Sequence, residues 1–308
     1  MDAEARLATS QGNGTVDVTL RLDDTRIEPG IARLAKPAGT PGRAAARLTL
    51  ASNVVTRIDG ISLQAGPTTV TGSAARRNGW DNVRLQADIA GVTPDAERGK
   101  CALAIDQQRG GHAFRLTSDD AGALLAAIGG GEGLRDGTLV VAGVATPAGA
   151  GTDATATLDI RKPLFTDRSV LRRVIALGSL SSLASAFTGP GLRFDRVGAA
   201  LRWHYPTVTV TDGVMQGSAL TVVVDGTIDQ PSATLDLRGT AIPSYYGLNT
   251  AVGHIPIVGN LIGSGNTKAI QAIDFTVGGA IHEPRVQVSP LSAIAPGVLR
   301  DVVRKLRR

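Results

Sequence analysis

The sequence has little of three features that often define a protein's class: cysteine, aromatic residues and long apolar runs. Cys101 is the only cysteine, so the chain cannot form an internal disulfide. Aromatic residues make up 3% of the chain, which leaves aliphatic residues as its main apolar material. No run of about 18 apolar residues occurs, and the N-terminal residues lack the pattern of a signal peptide. We therefore expect either a cytosolic protein or a fragment of a longer exported chain.

The residue clusters that usually carry catalysis are also missing. The four histidines lie far apart, without the short spacing to Cys, Asp or Glu that a metal site requires. No serine occupies a Gly-x-Ser-x-Gly turn, and the glycine-rich segment 129–133 matches neither a P-loop nor a dinucleotide-binding loop. We predict no catalytic residue, no metal and no cofactor, and hence a protein that is not an enzyme. A hydrolase or carbohydrate-active β protein is the weakest alternative, because no acid/base pair can be named.

The net charge of +5 is modest, and part of the excess lies at the C-terminus, where five basic residues occur between Arg300 and Arg308. Nucleic acid is not a predicted partner, because no basic stretch is interleaved with the aromatic residues on which bases stack. Two interpretations of the basic end remain open. It is either the solvated face of a helix or a contact with anionic lipid or another acidic surface.

What the sequence does contain is a repeated alternation of apolar and polar residues, as in Val16, Val18 and Leu20 with polar residues between them. This period of two is typical of a strand with one apolar face, and it recurs in roughly fifteen to eighteen segments. We predict a mainly β fold: a long twisted antiparallel sheet curled into an open hydrophobic groove, with about three short helices. Turns are predicted at Asp59-Gly60, Asn78-Gly79, Gly110-Gly111, Asp136-Gly137, Asp212-Gly213 and Asp225-Gly226.

Three segments have the pattern of a helix. The first follows the capping residues 117–120, the second covers about 169–186, and the third is an amphipathic C-terminal helix that begins near Pro296. In the third helix, apolar residues share one side and basic residues the other, which suits a membrane surface or a partner protein. Its candidate contact residues are Val298, Leu299, Arg300, Val302, Val303, Arg304, Lys305 and Leu306.

The candidate functional surface is the apolar face of the sheet. In a β-sandwich this face packs against a second sheet, whereas an unsealed curved sheet exposes an aliphatic trough suited to acyl chains. Both alternatives are open at this point. We predict a single elongated β-groove unit over residues 1–308. The candidate groove residues are Val208, Val210, Leu220, Val222, Val224, Leu235, Leu237, Val286 and Val288.

Several short motifs in the C-terminal part resemble one known family. They include the segment 191–195, the Gly-x-Ile-x-x-Pro pattern of 226–231, and Ile255–Gly259, followed by 284–291 and 295–300. Together they resemble the C-terminal region of the AsmA-like superfamily and, within it, the YhdP-like branch. The resemblance covers about residues 110–303 and marks the following residues as structural: Pro243, Asn249, Pro256, Gly259, Pro284, Pro290, Pro296 and Gly297.

The resemblance implies an envelope protein of Gram-negative bacteria in the periplasm, anchored in the inner membrane in its full-length form. It implies bridge-like phospholipid transport between inner and outer membrane, which supports outer-membrane integrity. The implied partners are phospholipid acyl chains and a membrane surface or envelope membrane protein. The sequence lacks the family's N-terminal anchor, so we expect the C-terminal part of a longer protein. The alternative function is a protein-binding scaffold or regulator of outer-membrane assembly.

Overall fold

The computed structural model describes most of the chain. The described residues are 2–26, 38–65, 68–76, 80–89, 99–127, 133–148, 151–166, 191–218, 220–243, 271–281, 283–288 and 292–293. They contain twenty strands and one short helix. Seventeen of the strands form one large antiparallel sheet that does not close on itself. The prediction of a mainly β, antiparallel fold is therefore confirmed.

The chain divides into two compact units, Met1–Ala156 and Thr157–Arg308. In unit 1 each of the first seven strands pairs antiparallel with the next along the chain, and the eighth pairs with the tenth. Its strands are β1 Asp2–Ser10, β2 Asn13–Arg21, β3 Gly42–Ala51, β4 Val54–Ala65, β5 Thr68–Arg76, β6 Trp80–Ile89, β7 Gly99–Gln108, β8 Gly111–Ser118, β9 Leu134–Arg135 and β10 Thr138–Ala148.

Unit 2 repeats this meander. The unit boundary falls inside β11, Gly151–Arg161, which is the neighbour of β14 in the sheet. Strands β14 to β18 each pair antiparallel with the next, and β20 pairs with β18. The strands that follow β11 are β12 Leu164–Phe165, β13 Leu192–Arg193, β14 Arg196–His204, β15 Thr207–Gln216, β16 Leu220–Asp229, β17 Thr234–Pro243, β18 Gln271–Ala280, β19 Arg285–Val288 and β20 Ser292–Ala293.

The first predicted helix is confirmed as α1, Ala121–Ala127. It begins where the sequence places its cap, because Oδ1 of Asp120 accepts a hydrogen bond from the Ala123 amide at 2.9 Å. The Ser118 hydroxyl in turn accepts from the Asp120 amide at 3.2 Å. Alanine and leucine side chains of α1 are buried in unit 1. The helices predicted over 169–186 and from Pro296 lie outside the described residues.

Three of the predicted turns are wrong, because they lie inside strands. Asp59-Gly60 is in β4, Asp212-Gly213 in β15 and Asp225-Gly226 in β16. At the first two positions the pairing register shifts by one residue, which is a β-bulge. Gly60 and Asp212 have positive φ angles of 57° and 53°, a conformation that turns and bulges both use. An Asp-Gly dipeptide, which favours positive φ angles, is therefore compatible with either a turn or a β-bulge.

In the third dipeptide, Asp225-Gly226, the aspartate lies opposite the bulge of β15. Val210 pairs with Gly226 and Gly213 with Val224, so two residues of β15 lie opposite Asp225 alone. The Asp225 carboxylate accepts a hydrogen bond from the Asp212 amide at 2.8 Å. The extra amide of the bulge is thus satisfied by a side chain of the neighbouring strand.

Two of the other predicted turns lie between strands, as predicted. Gly110 lies in the turn between β7 and β8, and Asp136-Gly137 in the connection between β9 and β10. Both residues of Asp136-Gly137 have positive φ angles, of 56° and 88°. Asn78-Gly79 lies outside the described residues.

Candidate functional site

The strand register in unit 2 sorts the side chains onto two faces. Residues that are directly opposite on neighbouring antiparallel strands point to the same face. Met215, Val222, Ala241 and Ile273 form one such row across β15 to β18. Extending the rows gives what we call the apolar face: Val197, Leu201, Trp203, Val208, Val210, Met215, Leu220, Val222, Val224, Ile228, Leu235, Leu237, Ala241, Ile273, Phe275, Val277, Val286 and Val288.

The opposite face of the same strands is polar along most of its length; at one end it carries the buried apolar residues Val214, Val223 and Ile242. Thr209, Thr227 and Asp236 lie in one row, and Arg238 and Thr276 in another. Some of these polar groups bond to each other across strands: the Thr240 hydroxyl donates to the Asp274 carboxylate at 2.7 Å. Because threonine, aspartate and arginine retain water or polar partners, the face able to accept an apolar ligand is the other one.

One end of the apolar face is closed by its own chain. Leu192 and Phe194 pack against Leu220, Val222 and other residues of this end, and Phe194 is only 2% exposed. Backbone hydrogen bonds hold this cover in place. The Phe194 amide donates to the Pro163 carbonyl at 3.0 Å, and the next amide in the chain donates to a carbonyl of β15 at 2.7 Å. The closed end is a small hydrophobic core, which we call the Phe194 cluster. It consists of Leu192, Phe194, Leu220, Val222, Ala241 and Ile273.

The other end of the apolar face consists of half-buried aliphatic side chains. They are Val208, Val210, Ile228, Leu235, Leu237 and Val277. In the part of the chain that the structure describes, the second sheet contains only strands of two residues, so it is too small to cover five strands of about ten residues. The described residues therefore present a strip of aliphatic surface that begins at the Phe194 cluster and continues along the strands.

All nine candidate groove residues lie on this apolar face. Leu220, Val222 and Val286 are buried, and the other six are half-buried. The sequence analysis missed the contribution of β18, although Ile273, Phe275 and Val277 show the same alternation and could have been found by it. It also missed the cover, which depends on contacts between residues far apart in the chain.

Two of the residues marked by the resemblance are described. Pro243 ends β17 opposite Leu220, and Pro284 lies between β18 and β19. The other marked residues and the whole C-terminal helix lie outside the described residues. They are Asn249, Pro256, Gly259, Pro290, Pro296, Gly297, Val298, Leu299, Arg300, Val302, Val303, Arg304, Lys305 and Leu306.

Unit 1 contains a cavity of about 720 Å³ near the ends of β7, β8 and β10. Four threonines, Lys100 and Asp119 are among its lining residues. Asp119 already accepts a hydrogen bond from the Lys100 amide at 2.6 Å, so this carboxylate is committed to holding the backbone. Cys101, also in the lining, is half-buried. The lining therefore offers hydroxyl donors and acceptors.

Ion pairs between neighbouring strands occur in unit 1. Arg47 donates to both carboxylate oxygens of Asp17, at 2.7 and 3.1 Å. This hydrogen bond lowers the pKa of Asp17 below its usual value and raises the pKa of Arg47. In unit 2, the Ser232 hydroxyl and amide lower the pKa of Asp229 in the same way. These shifts come from fixed hydrogen bonds at the surface, which is the behaviour of structural charges.

In the described part of the chain, no group of three or more His, Cys, Asp or Glu side chains is placed to hold a metal ion. The described residues also include no helix long and apolar enough to cross a membrane.

No protein-family model matches the chain. Searches among curated proteins and solved structures likewise give no match.

Proposed function

We propose that the chain is a non-enzymatic β protein whose apolar face carries phospholipid acyl chains between the inner and outer membranes. The observation that carries this proposal is the shared placement of all nine candidate groove residues on one aliphatic face, closed at one end and, apart from the buried Val286, half-buried along the rest. Acyl chains gain from leaving water and make no hydrogen bonds, so a smooth aliphatic strip suits them.

The open strip is long enough to hold most of an acyl chain. From Ile228 to Val224, the part of β16 beyond the Phe194 cluster, the strand advances four residues, which is about 13 Å at the usual rise of a strand. One leaflet of a bilayer has an apolar depth of about 15 Å, half of the hydrocarbon core. Most of the length of a phospholipid acyl chain can therefore lie along the strands within the strip.

The cellular setting belongs to the same proposal. The motifs around Pro243 and Pro284 support membership of the AsmA-like superfamily, in its YhdP-like branch. With it come a periplasmic location, an inner-membrane anchor in the full-length protein and a role in outer-membrane integrity. The C-terminal residues 296–308 are proposed to dock at a membrane or envelope membrane protein. Unchanged liposome and partner binding after their deletion would refute that part.

The test is native mass spectrometry with lipid extraction on the chain purified from the periplasm of a Gram-negative host. The variant carries Val210→Gln and Leu237→Gln, which place two amides in one row of the half-buried strip. We expect phospholipid bound to the wild type and lost from this variant, because amides in an apolar contact lose their hydrogen bonds to water. Val222 is unsuitable, since it is buried and its replacement would report on folding.

The matched control carries Thr209→Gln and Asp236→Gln, one residue away on the polar face. It is expected to keep the lipid. Circular dichroism and urea unfolding must show that both variants stay folded. A folded wild type without lipid, or equal loss in both variants, would refute lipid carriage and favour the protein-binding scaffold.

A further inference from the structure

Among the side chains that the structure describes, the exposed tryptophan and tyrosine lie at one hairpin tip of unit 2. The chain has 2 tryptophans and 3 tyrosines, and Trp203 and Tyr205 both lie at the tip that joins β14 to β15. Trp203 is 40% exposed and Tyr205 64% exposed. Aromatic rings bury large apolar areas when they find a partner, so two of them in water at one point indicate an interaction surface.

The tip is braced by its neighbours. The Gln230 amide in the next turn donates to the Pro206 carbonyl at 3.1 Å, and the Ile281 amide donates to the Ala233 carbonyl at 2.9 Å. Three successive turns are thus joined by backbone hydrogen bonds. We call this edge the aromatic rim and define it as Trp203, Tyr205, Pro206, Pro231 and Ile281. Because the backbone is fixed in advance, docking the rim costs little ordering entropy.

The rim lies at the end of the apolar face that is opposite to the Phe194 cluster. Trp203 is directly opposite Val208, and the same row continues to Ile228 and Leu235. The half-buried aliphatic strip therefore runs directly into the rim. A molecule that leaves the strip at this end meets Trp203 first.

The charges near the tip fit the headgroup region of a membrane. Arg202 is exposed and precedes Trp203, and the segment 202–207 contains no acidic residue. The acidic residues of the adjacent turns are Asp229, whose carboxylate accepts from Ser232, and the exposed Glu283. An arginine beside a tryptophan can pair with a lipid phosphate while the ring lies below it.

We propose that the aromatic rim docks on a phospholipid bilayer, with Trp203 and Tyr205 seated at the depth of the headgroups. Tryptophan and tyrosine favour this depth because their rings are apolar at one end and polar at the other. A protein partner is the less suitable occupant, since specific protein interfaces bury on the order of 800 Å² per side and the rim is a line of turns. This inference deepens the proposed function and rests on it for the cargo, but docking itself is tested separately.

Tryptophan fluorescence gives a site-specific test. The variant Trp80→Phe leaves Trp203 as the only tryptophan of the chain. It is mixed with vesicles of phosphatidylcholine and phosphatidylglycerol, with or without brominated acyl chains. We expect the Trp203 emission to shift to the blue, to be quenched by the brominated lipids and to be shielded from aqueous iodide. Vesicle binding that leaves the Trp203 emission unchanged would overturn the proposal, because another part of the chain would then be the contact.

A second variant tests the contribution of the rings. Trp203→Ser with Tyr205→Ser is expected to weaken vesicle cosedimentation roughly tenfold or more, because it removes most of the apolar area of the tip. The matched control is Leu7→Ser, which removes an exposed apolar side chain from unit 1 and is expected to bind as the wild type does. Equal binding by all three proteins would contradict the inference. Because Trp203 belongs to the apolar face, lipid copurification is measured in the single variant Tyr205→Ser, which leaves that face intact. Failure of docking and failure of lipid carriage are then separate results.

Discussion

At the scale of single residues, the start of α1 shows how a local sequence signal becomes a fixed contact. Asp120 was predicted as a cap from its position before an apolar segment, and its Oδ1 accepts the Ala123 amide at 2.9 Å. Helix starts leave several amides without an intrahelical partner, so this acceptor matters. The signal is readable from sequence because donor and acceptor lie three residues apart.

Asp120→Ala is expected to lower the free energy of unfolding by about 1 kcal/mol, because the Ala123 amide loses its acceptor. Urea unfolding followed by circular dichroism measures the change. Asp120→Asn is the matched control, since its side-chain oxygen can accept the same bond and it should stay near the wild type. Equal losses in the two variants would mean that the charge, and not the cap, stabilises this end.

Gly213 is a residue whose importance comes from a close approach between strands. A Cβ atom at this position would lie 2.5 Å from the Val224 carbonyl oxygen, closer than side chains tolerate. Gly213→Ala is therefore expected to cost about 1–3 kcal/mol of stability. The measurement is the urea midpoint at constant slope.

Gly198 on β14 is the control for that substitution. Its nearest obstacle, the Leu158 carbonyl oxygen, would be 3.6 Å from the new Cβ, which is an ordinary contact. Gly198→Ala is expected to be neutral or to stabilise by up to about 1 kcal/mol, because it reduces the entropy of the unfolded chain. If Gly213→Ala were as well tolerated, the bulge in β15 could not require a glycine.

At the scale of elements, the alternation of residues predicted the strands and their apolar face, because a period of two is a local property of an extended chain. The Asp-Gly dipeptides misled for a physical reason. A tight turn and a bulge both favour positive φ, so Asp212-Gly213 looks the same in either. What distinguishes them is the partner strand, where Asp225 accepts the extra amide. That partner is not visible in a local pattern.

The ion pair between β2 and β3 gives a prediction at this scale. Arg47→Gln is expected to raise the pKa of Asp17 toward 3.8, since the hydrogen bond from Arg47 is the main cause of its depression. Carboxyl NMR titration measures it. Arg43→Gln, on the same strand and face, is the control and should leave the Asp17 titration unchanged. An unaltered Asp17 titration in Arg47→Gln would show that another contact sets the pKa.

The same pair sets a direction for the effect of pH on stability. A carboxylate whose folded pKa is depressed stabilises the fold above its unfolded pKa, here about 3.8, and loses that contribution as the pH falls through its folded value. The stability difference between the wild type and Arg47→Gln should therefore shrink as the pH is lowered from 6 to below the folded pKa. Urea unfolding at a series of pH values follows it.

At the scale of the whole molecule, the antiparallel meander was predictable and the closure of the apolar face was not. Each long strand pairs mainly with its neighbour along the chain. This topology is expected because short turns can join antiparallel strands. Closure depends on Phe194 reaching Ile273 and Ala241 of later strands. No pattern within one segment predicts which row of an apolar face another segment will cover.

The proposed cargo has a thermodynamic consequence for the whole chain. A ligand that binds only the folded state stabilises it by mass action, by about 2.7 kcal/mol when its free concentration is 100 times its dissociation constant. Removing phospholipid with detergent and re-purifying the protein is expected to lower its Tm, and adding phospholipid back should restore it. The Val210→Gln, Leu237→Gln variant should show the low Tm throughout, whereas Thr209→Gln, Asp236→Gln should respond as the wild type does. A wild-type Tm that does not change with phospholipid would contradict lipid binding on the apolar face, because a ligand that binds only the folded state must raise the Tm.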